Sequence, residues 1–212
     1  MGSEMCIRDR CARAGLEVLV REASAEAAEA GRARLVTSLD RGVTANKMTE
    51  EERDAAMERL SFTTDIGDLS DQDLVVEAII EDEDMKVDLF RELDQVLNNS
   101  DAILASNTSS IPIMKLGTAT SRPEQVIGIH FFNPVPVLRL VELVESLMTS
   151  EETSLRAEAF AGNVLSKRVI RSQDRAGFVV NALLIPYLLS AIRMMESAVS
   201  YTHLRAHETS PD

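Results

Sequence analysis

The sequence predicts an α/β protein, a doubly wound and mostly parallel sheet followed by the start of an all-α segment. Three observations carry this. Short runs rich in β-branched residues (16–21 LEVLVR, 73–80 DLVVEAII, 102–106 AILAS and 126–129 VIGI) are apolar almost throughout, as strands covered on both faces are. Longer amphipathic stretches with helix-capping signals stand between them. Acidic and small polar residues gather just past the strand ends, where a doubly wound sheet opens its ligand crevice: Glu22, Glu81, then Asn107, Thr108 and Ser109.

Residues 1–10 (MGSEMCIRDR) have neither apolar periodicity nor strand character, and are expected to be foreign to the domain or disordered. A helix is entered at 11–15 (CARAG), with Gly15 as its C-cap. Strand 16–21 ends at Glu22. Ser24 then N-caps an amphipathic helix to about Val43, with Glu26 in its first turn. Thr49 followed by Glu52 has the form of a capping box, opening a second helix to Leu60. Strand 73–80 leads into the acidic run Glu81-Asp82-Glu83-Asp84 and a helix over 85–97. By itself that run is a first helical turn placed to favour the dipole.

Strands at 102–106 and 126–129 follow, the second delivering His130 to a loop. Strand 140–144, a helix over 151–165, a strand near 168–171 and a turn at 174–177 complete the α/β part. Residues 178–198 form a long, very apolar helix kinked at Pro186. A helix apolar on so many faces needs burial against partners, or becomes an association surface. The tail 199–212 does not continue it and is expected to be foreign or disordered. His203 and His207 there are spaced i, i+4 beside Glu208, but in such a tail they predict no metal site.

Composition excludes several function classes. With 212 residues the chain holds one domain plus part of another, and its 45% hydrophobic content is ample for a core. A net charge of −13, with 4% aromatic residues and no Trp, argues against nucleic acid and anionic membranes as partners. No run approaches the roughly 18 apolar residues of a membrane span, and no signal-peptide pattern is present. Cys6 and Cys11 lie too close together to staple a large fold, which suits a reducing, cytoplasmic setting.

The chemistry concentrates between 106 and 145. His130 closes an apolar run, and Glu142 stands among Leu140, Val141, Leu143 and Val144, where a carboxylate costs free energy unless paired. A neutral imidazole held by a buried carboxylate is a proton acceptor that works near neutral pH. The bland alternative is a satisfied core histidine and an edge-strand glutamate. Glu22 is equally a solvated strand-end acid, and Lys47 a solvated loop lysine.

In order, SNTSSIPI (106–113), GIHFFNPVPV (128–137), LVELV (140–144) and DRAGFVVNALLIPYLLSAI (174–192) closely resemble the 3-hydroxyacyl-CoA dehydrogenases, nearest their bacterial short-chain members. The resemblance runs from about Cys11 to about Ala198. It implies a Rossmann-like domain binding NAD over 11–174. Residues 175–198 are then the first helix of a C-terminal helical domain for dimerisation and substrate. Members open with a strand and a G-x-G-x-x-G turn that cradles the pyrophosphate. No such spacing occurs here, so the resemblance implies an internal fragment of a longer enzyme, one expected to bind NADH poorly by itself. The ends look like translated vector or adapter sequence.

Carried over residue by residue, the resemblance makes His130 the base that exchanges the C3 hydroxyl proton, with Glu142 holding it. Ser109 and Asn181 orient the substrate. Glu22, Glu81, Lys86, Asn107, Ser109 and Asn133 face the cofactor, while Ser38 and Lys47 receive the CoA moiety. The expected partners are an acyl-CoA and a second copy, as a homodimer through the helical domain. Relative to some members, the chain is one residue longer between His130 and Asn181, an excess absorbed near Asn163. Two other classes stay open: dehydrogenases of free hydroxy acids, which use a catalytic lysine instead of this pair, and non-enzymatic structural relatives.

Overall fold

The computed structural model describes residues 3–197, with side chains from residue 7 onward. The calls made on 199–212 lie outside the described residues. The segment expected to be foreign or disordered enters a helix, α1 (Ser3–Arg13). Ile7 and Cys11 bury their side chains in the main core, and Gly15 turns the chain with φ +91°. Burial in that apolar setting pushes the Cys11 thiol up to about 12, making it a packing residue.

β1 (Val18–Arg21) leads to α2 (Ala25–Thr44), whose N-cap Ser24 accepts from the Ala27 N–H. In α3 (Glu50–Glu58) the Thr49–Glu52 capping box is closed in both directions. The helix ends two residues before Leu60, because 60–63 pair with β1 as a parallel strand, β2 (Leu60–Thr63), that the sequence reading missed.

The second half supplies β3 (Leu74–Glu77), α4 (Glu83–Val96), β4 (Ile103–Ser106), α5 (Ile113–Thr118) and β5 (Val126–Phe131). It continues with β6 (Leu140–Glu145), α6 (Glu151–Ala159), β7 (Arg168–Gln173) and α7 (Val180–Glu196). Strands β3 to β7 form a five-stranded sheet in sequence order, parallel except for the β5–β6 pair. The sheet is therefore mostly parallel, as expected, but it comes in two pieces. β1 and β2 form their own sheet, with no ladder joining them to β3 among the described residues. Apolar packing joins the pieces instead: Leu16 and Val18 meet Leu74, Val76, Ile7 and Cys11 in one core.

α6 runs into a π-helical turn at Phe160–Val164, where the Leu165 N–H reaches back five residues to the Phe160 carbonyl at 3.0 Å. Asn163 lies inside this turn. α7 buries none of its side chains: Leu183, Ile185, Tyr187, Leu188 and Ile192 are all exposed. No helix among the described residues is long and apolar enough to cross a membrane.

Candidate active site

His130 and Glu142 are directly opposite partners in the antiparallel β5–β6 ladder, so both side chains leave the same face of the sheet. The imidazole Nδ1 lies 2.7 Å from Glu142 Oε2. Glu142 is 0% exposed, and β6 sits between β5 and β7, not at an edge. Its second oxygen, Oε1, accepts the N–H groups of Val179 at 3.0 Å and Val180 at 2.8 Å, where α7 begins. A buried carboxylate thus has three partners, two of them at the positive end of a helix, which offsets its desolvation. Because a carboxylate only accepts, Nδ1 is the donor, and in the neutral imidazole Nε2 keeps its lone pair.

Two aromatic rings bracket the imidazole: Phe132 with its centroid 4.5 Å away, and Phe178 edge-on at 5.8 Å. Phe178 is buried with φ +50°, a left-handed conformation that costs a bulky residue about 1–3 kcal/mol. The packing against His130 and the main-chain bonds to Glu142 hold it there.

The loop after β4 approaches from the neighbouring strand. Asn107 Oδ1 accepts the Phe131 N–H at 2.9 Å, binding the loop to the residue next to His130. Glu81 gathers the rest of the loop. Its Oε1 accepts from Thr108 Oγ1 (2.6 Å), the Ser109 and Ser110 N–H groups (2.9 and 3.1 Å), Ser110 Oγ (3.0 Å) and Ser109 Oγ (3.3 Å). Partial burial works against the charge, but the bonds from Thr108 and Ser109, the Lys86 ammonium and Ser110 outweigh it. The Glu81 carboxyl is pulled down to about 2.

Lys86 corrects the sequence reading. Expected on the cofactor surface, it is only 1% exposed and lies beneath it, its ammonium between Glu77 Oε1 at 2.8 Å and Glu81 Oε2 at 3.2 Å. A charge this deep is tolerated because both carboxylates pair with it; it reaches the surface through Glu81.

The remaining candidates are more dispersed. Glu22 follows β1, with the Arg8 guanidinium 3.8 Å away. Asn133 is exposed in the loop after β5, before a cis Pro134. Lys167 holds that loop through the Val135 carbonyl and, at 2.8 Å, the Leu138 carbonyl. Asn181 lies in the first turn of α7, one residue past the Val180 N–H that meets Glu142. Ser38 on α2 and Lys47 in the turn before α3 are exposed and make no hydrogen bond or ion pair with the other candidates among the described residues. No group of His, Cys, Asp or Glu there could hold a metal ion.

Sequence reasoning missed Glu77, Ser106 and Phe178. Glu77 carried a usable signal, since it interrupts an apolar run (DLVVEAII) just as Glu142 interrupts LVELVE. The Val179 and Val180 contributions come from main-chain donors, which no side-chain pattern announces.

A strand-end acid in a mostly parallel α/β sheet, together with a histidine–carboxylate pair at the carboxyl end of a strand, fits a dinucleotide-dependent dehydrogenase. The comparisons with known proteins agree. Residues 1–175 match the family described as 3-hydroxyacyl-CoA dehydrogenase, NAD binding domain. A 3-hydroxybutyryl-CoA dehydrogenase of Mycobacterium tuberculosis is 59% identical over 191 residues, covering 90% of this chain and 67% of that protein. The solved (S)-3-hydroxybutyryl-CoA dehydrogenase from Ralstonia eutropha superimposes with a TM-score of 0.89 at 39% identity, covering 92% of this chain and 69% of that one. The Escherichia coli enzyme of the same name gives 0.91 at 34% identity, over 94% and 42%. The chain belongs to the 3-hydroxyacyl-CoA dehydrogenase family, whose cofactor is NAD.

The residues present suit the two ends of that dinucleotide. Glu22 offers an acceptor where a parallel strand ends, while Glu81, Asn107 and Ser109 follow the ends of β3 and β4, Asn107 being bound to the residue next to His130.

Proposed function

We propose that the site interconverts (S)-3-hydroxyacyl-CoA and 3-ketoacyl-CoA, with a short acyl chain, using His130 as the proton acceptor and donor. The observation that carries this is the buried His130–Glu142 pair with Nε2 left free. NAD, when bound, supplies the hydride acceptor for C3. His130 Nε2 takes the proton of the C3 hydroxyl as the C3–H bond breaks, so the C–O bond becomes a carbonyl. In reduction His130 returns that proton to the oxygen.

Glu142 holds the imidazole with Nδ1 protonated and stabilises the imidazolium; a positioned base of this kind contributes about 10²–10⁴-fold in rate. Ser109 and Asn181 orient the substrate oxygens from opposite sides, one from the loop after β4 and the other from α7. Glu22 accepts from the adenosine ribose hydroxyls, where its charge disfavours a 2′-phosphate. Asn133 contributes a further cofactor contact from the loop after β5. Ser38 and Lys47 receive the CoA moiety, Lys47 supplying a local cation in a chain whose net charge of −13 repels phosphates. The exposed apolar side chains of α7 support pairing with a second copy in a homodimer.

The test is turnover by the natural polypeptide that carries this chain. Acetoacetyl-CoA should drive NADH oxidation, and His130→Gln should lower kcat by two or more orders of magnitude while NADH binding is kept. Good turnover of a free hydroxy acid without acetoacetyl-CoA activity overturns the proposal.

A further inference from the structure

We infer that Glu77, a buried carboxylate outside the His130–Glu142 pair, is a positioning residue that sets the geometry of the 107–110 loop. What that loop does for the substrate rests on the function proposed above; how it is held rests on the geometry alone.

Glu77 is the last residue of β3 and stands opposite Ser106, the last residue of β4. Two arms run from its carboxylate to the same loop. In the first, Ser106 Oγ donates to Glu77 Oε2 at 2.6 Å and accepts the Thr108 N–H at 3.2 Å. In the second, Glu77 Oε1 holds the Lys86 ammonium at 2.8 Å, and Lys86 holds Glu81 Oε2 at 3.2 Å. Glu81 Oε1 then takes the donors of Thr108, Ser109 and Ser110. The Ile79 N–H also donates to Glu77 Oε1, at 2.6 Å, which fixes the turn that carries Glu81 into place. The Asn107 N–H meets the Glu77 carbonyl at 2.8 Å. Every residue from 107 to 110 is thus tied to Glu77 directly or through one or two intermediates.

Burial gives this arrangement its meaning. The Glu77 side chain is 0% exposed and that of Lys86 1%. A buried ion pair is weak evidence of stability, because apolar replacements of similar volume often leave a fold as stable or more so. What apolar residues cannot do is fix the direction of a hydroxyl or an amide. The carboxylate network directs Thr108, Ser109 and Ser110, of which Ser109 is half-buried and Ser110 exposed.

The test uses the natural polypeptide that carries this chain, with Glu77→Gln, Lys86→Met and the paired Glu77→Leu/Lys86→Met replacement, which leaves no buried charge unpaired. Amide hydrogen exchange is read at Ser109 and Ser110 against Leu104 and Ala105 within β4. Michaelis parameters for acetoacetyl-CoA are read alongside. The paired variant is expected to exchange at Ser109 and Ser110 at least tenfold faster with β4 protection unchanged, and to raise KM tenfold or more for a smaller loss in kcat. Lys86→Arg, which keeps the charge, should recover part of both effects. Exchange at Ser109 and Ser110 equal to wild type, or rising only in step with β4, overturns the inference. If those amides loosen while KM and kcat stay at wild-type values, Glu77 does position the loop, and it is the assignment of Ser109 to the substrate that fails.

Discussion

Replacing Glu142 by Gln isolates the electrostatic part of the proposed chemistry from its shape. Glutamine has nearly the same volume, and its carbonyl oxygen can accept the Val179 and Val180 N–H groups that now bind Oε1 at 3.0 and 2.8 Å. Its amide nitrogen then faces His130 Nδ1, which in the wild type lies 2.7 Å from Oε2. An amide NH₂ donates, so Nδ1 must become the acceptor and the ring proton moves to Nε2. The atom that should take the C3 hydroxyl proton is blocked. A hydrogen bond to a charged partner is worth about 1.5–3 kcal/mol, and its loss removes the stabilisation of the imidazolium as well. Every 1.4 kcal/mol is tenfold in rate, so kcat should fall by about 10–10²-fold. Folding stability should move by no more than about 2 kcal/mol, since weaker hydrogen bonds are offset by relief from burying a charge. The assay is acetoacetyl-CoA-dependent NADH oxidation beside a thermal melt, and the double variant with His130→Gln should be little worse than His130→Gln alone. Glu142→Gln within a factor of three of wild-type kcat, or strictly additive losses in the double variant, would refute the pairing as a unit.

Three further outcomes follow from the packing. Asp9 is buried without a close hydrogen bond to either oxygen, and burial, only partly offset by the Arg8 charge and the nearby Ser38 hydroxyl, raises its carboxyl from the usual 3.8 to about 6. A raised acid penalises the fold at high pH: the penalty is absent below 3.8 and complete above about 6. Asp9→Asn should therefore stabilise by up to about 3 kcal/mol above that window and not below it, as thermal melts across pH will show. Gly128→Ala places a methyl 2.8 Å from Val144 Cβ and 3.0 Å from Ile113 Cδ1, two residues before His130. Denaturant unfolding should register a loss of about 1–3 kcal/mol. On α7, Leu188→Lys with Ile192→Lys should shift sedimentation toward the monomer if that helix carries the homodimer interface.

The sequence announced those parts of the fold where local chemistry decides the outcome. Ser24 and Thr49 cap their helices as read, because each bond lies within three residues. His130 and Glu142 were readable as a pair because an ionisable group inside an apolar run is anomalous whatever the topology. Of α1 only the end, before Gly15, was readable; its first two turns were not, since their burial depends on distant residues such as Leu74 and Ile103 and their own composition is polar. β2 failed for a related reason: four residues following a helix directly become a strand only because β1 lies alongside. The resemblance assigned Lys86 to the cofactor surface, and nothing in its local sequence announces that it is buried. Only the tertiary neighbours Glu77 and Glu81 make its burial tolerable.

The carboxylate of Glu142 has a consequence beyond the proton. Its two oxygens face different parts of the molecule, the imidazole on one side and the first N–H groups of α7 on the other. A helix that swings away takes two donors with it and frees the carboxylate to turn off the imidazole, while Phe178 leaves its place beside the ring. Under the function proposed above, the hold on the His130 imidazole then depends on the seating of α7, the element that also carries Asn181. Such an arrangement is an interlock: the carboxylate that holds the imidazole is itself held by the first N–H groups of the helix that carries Asn181.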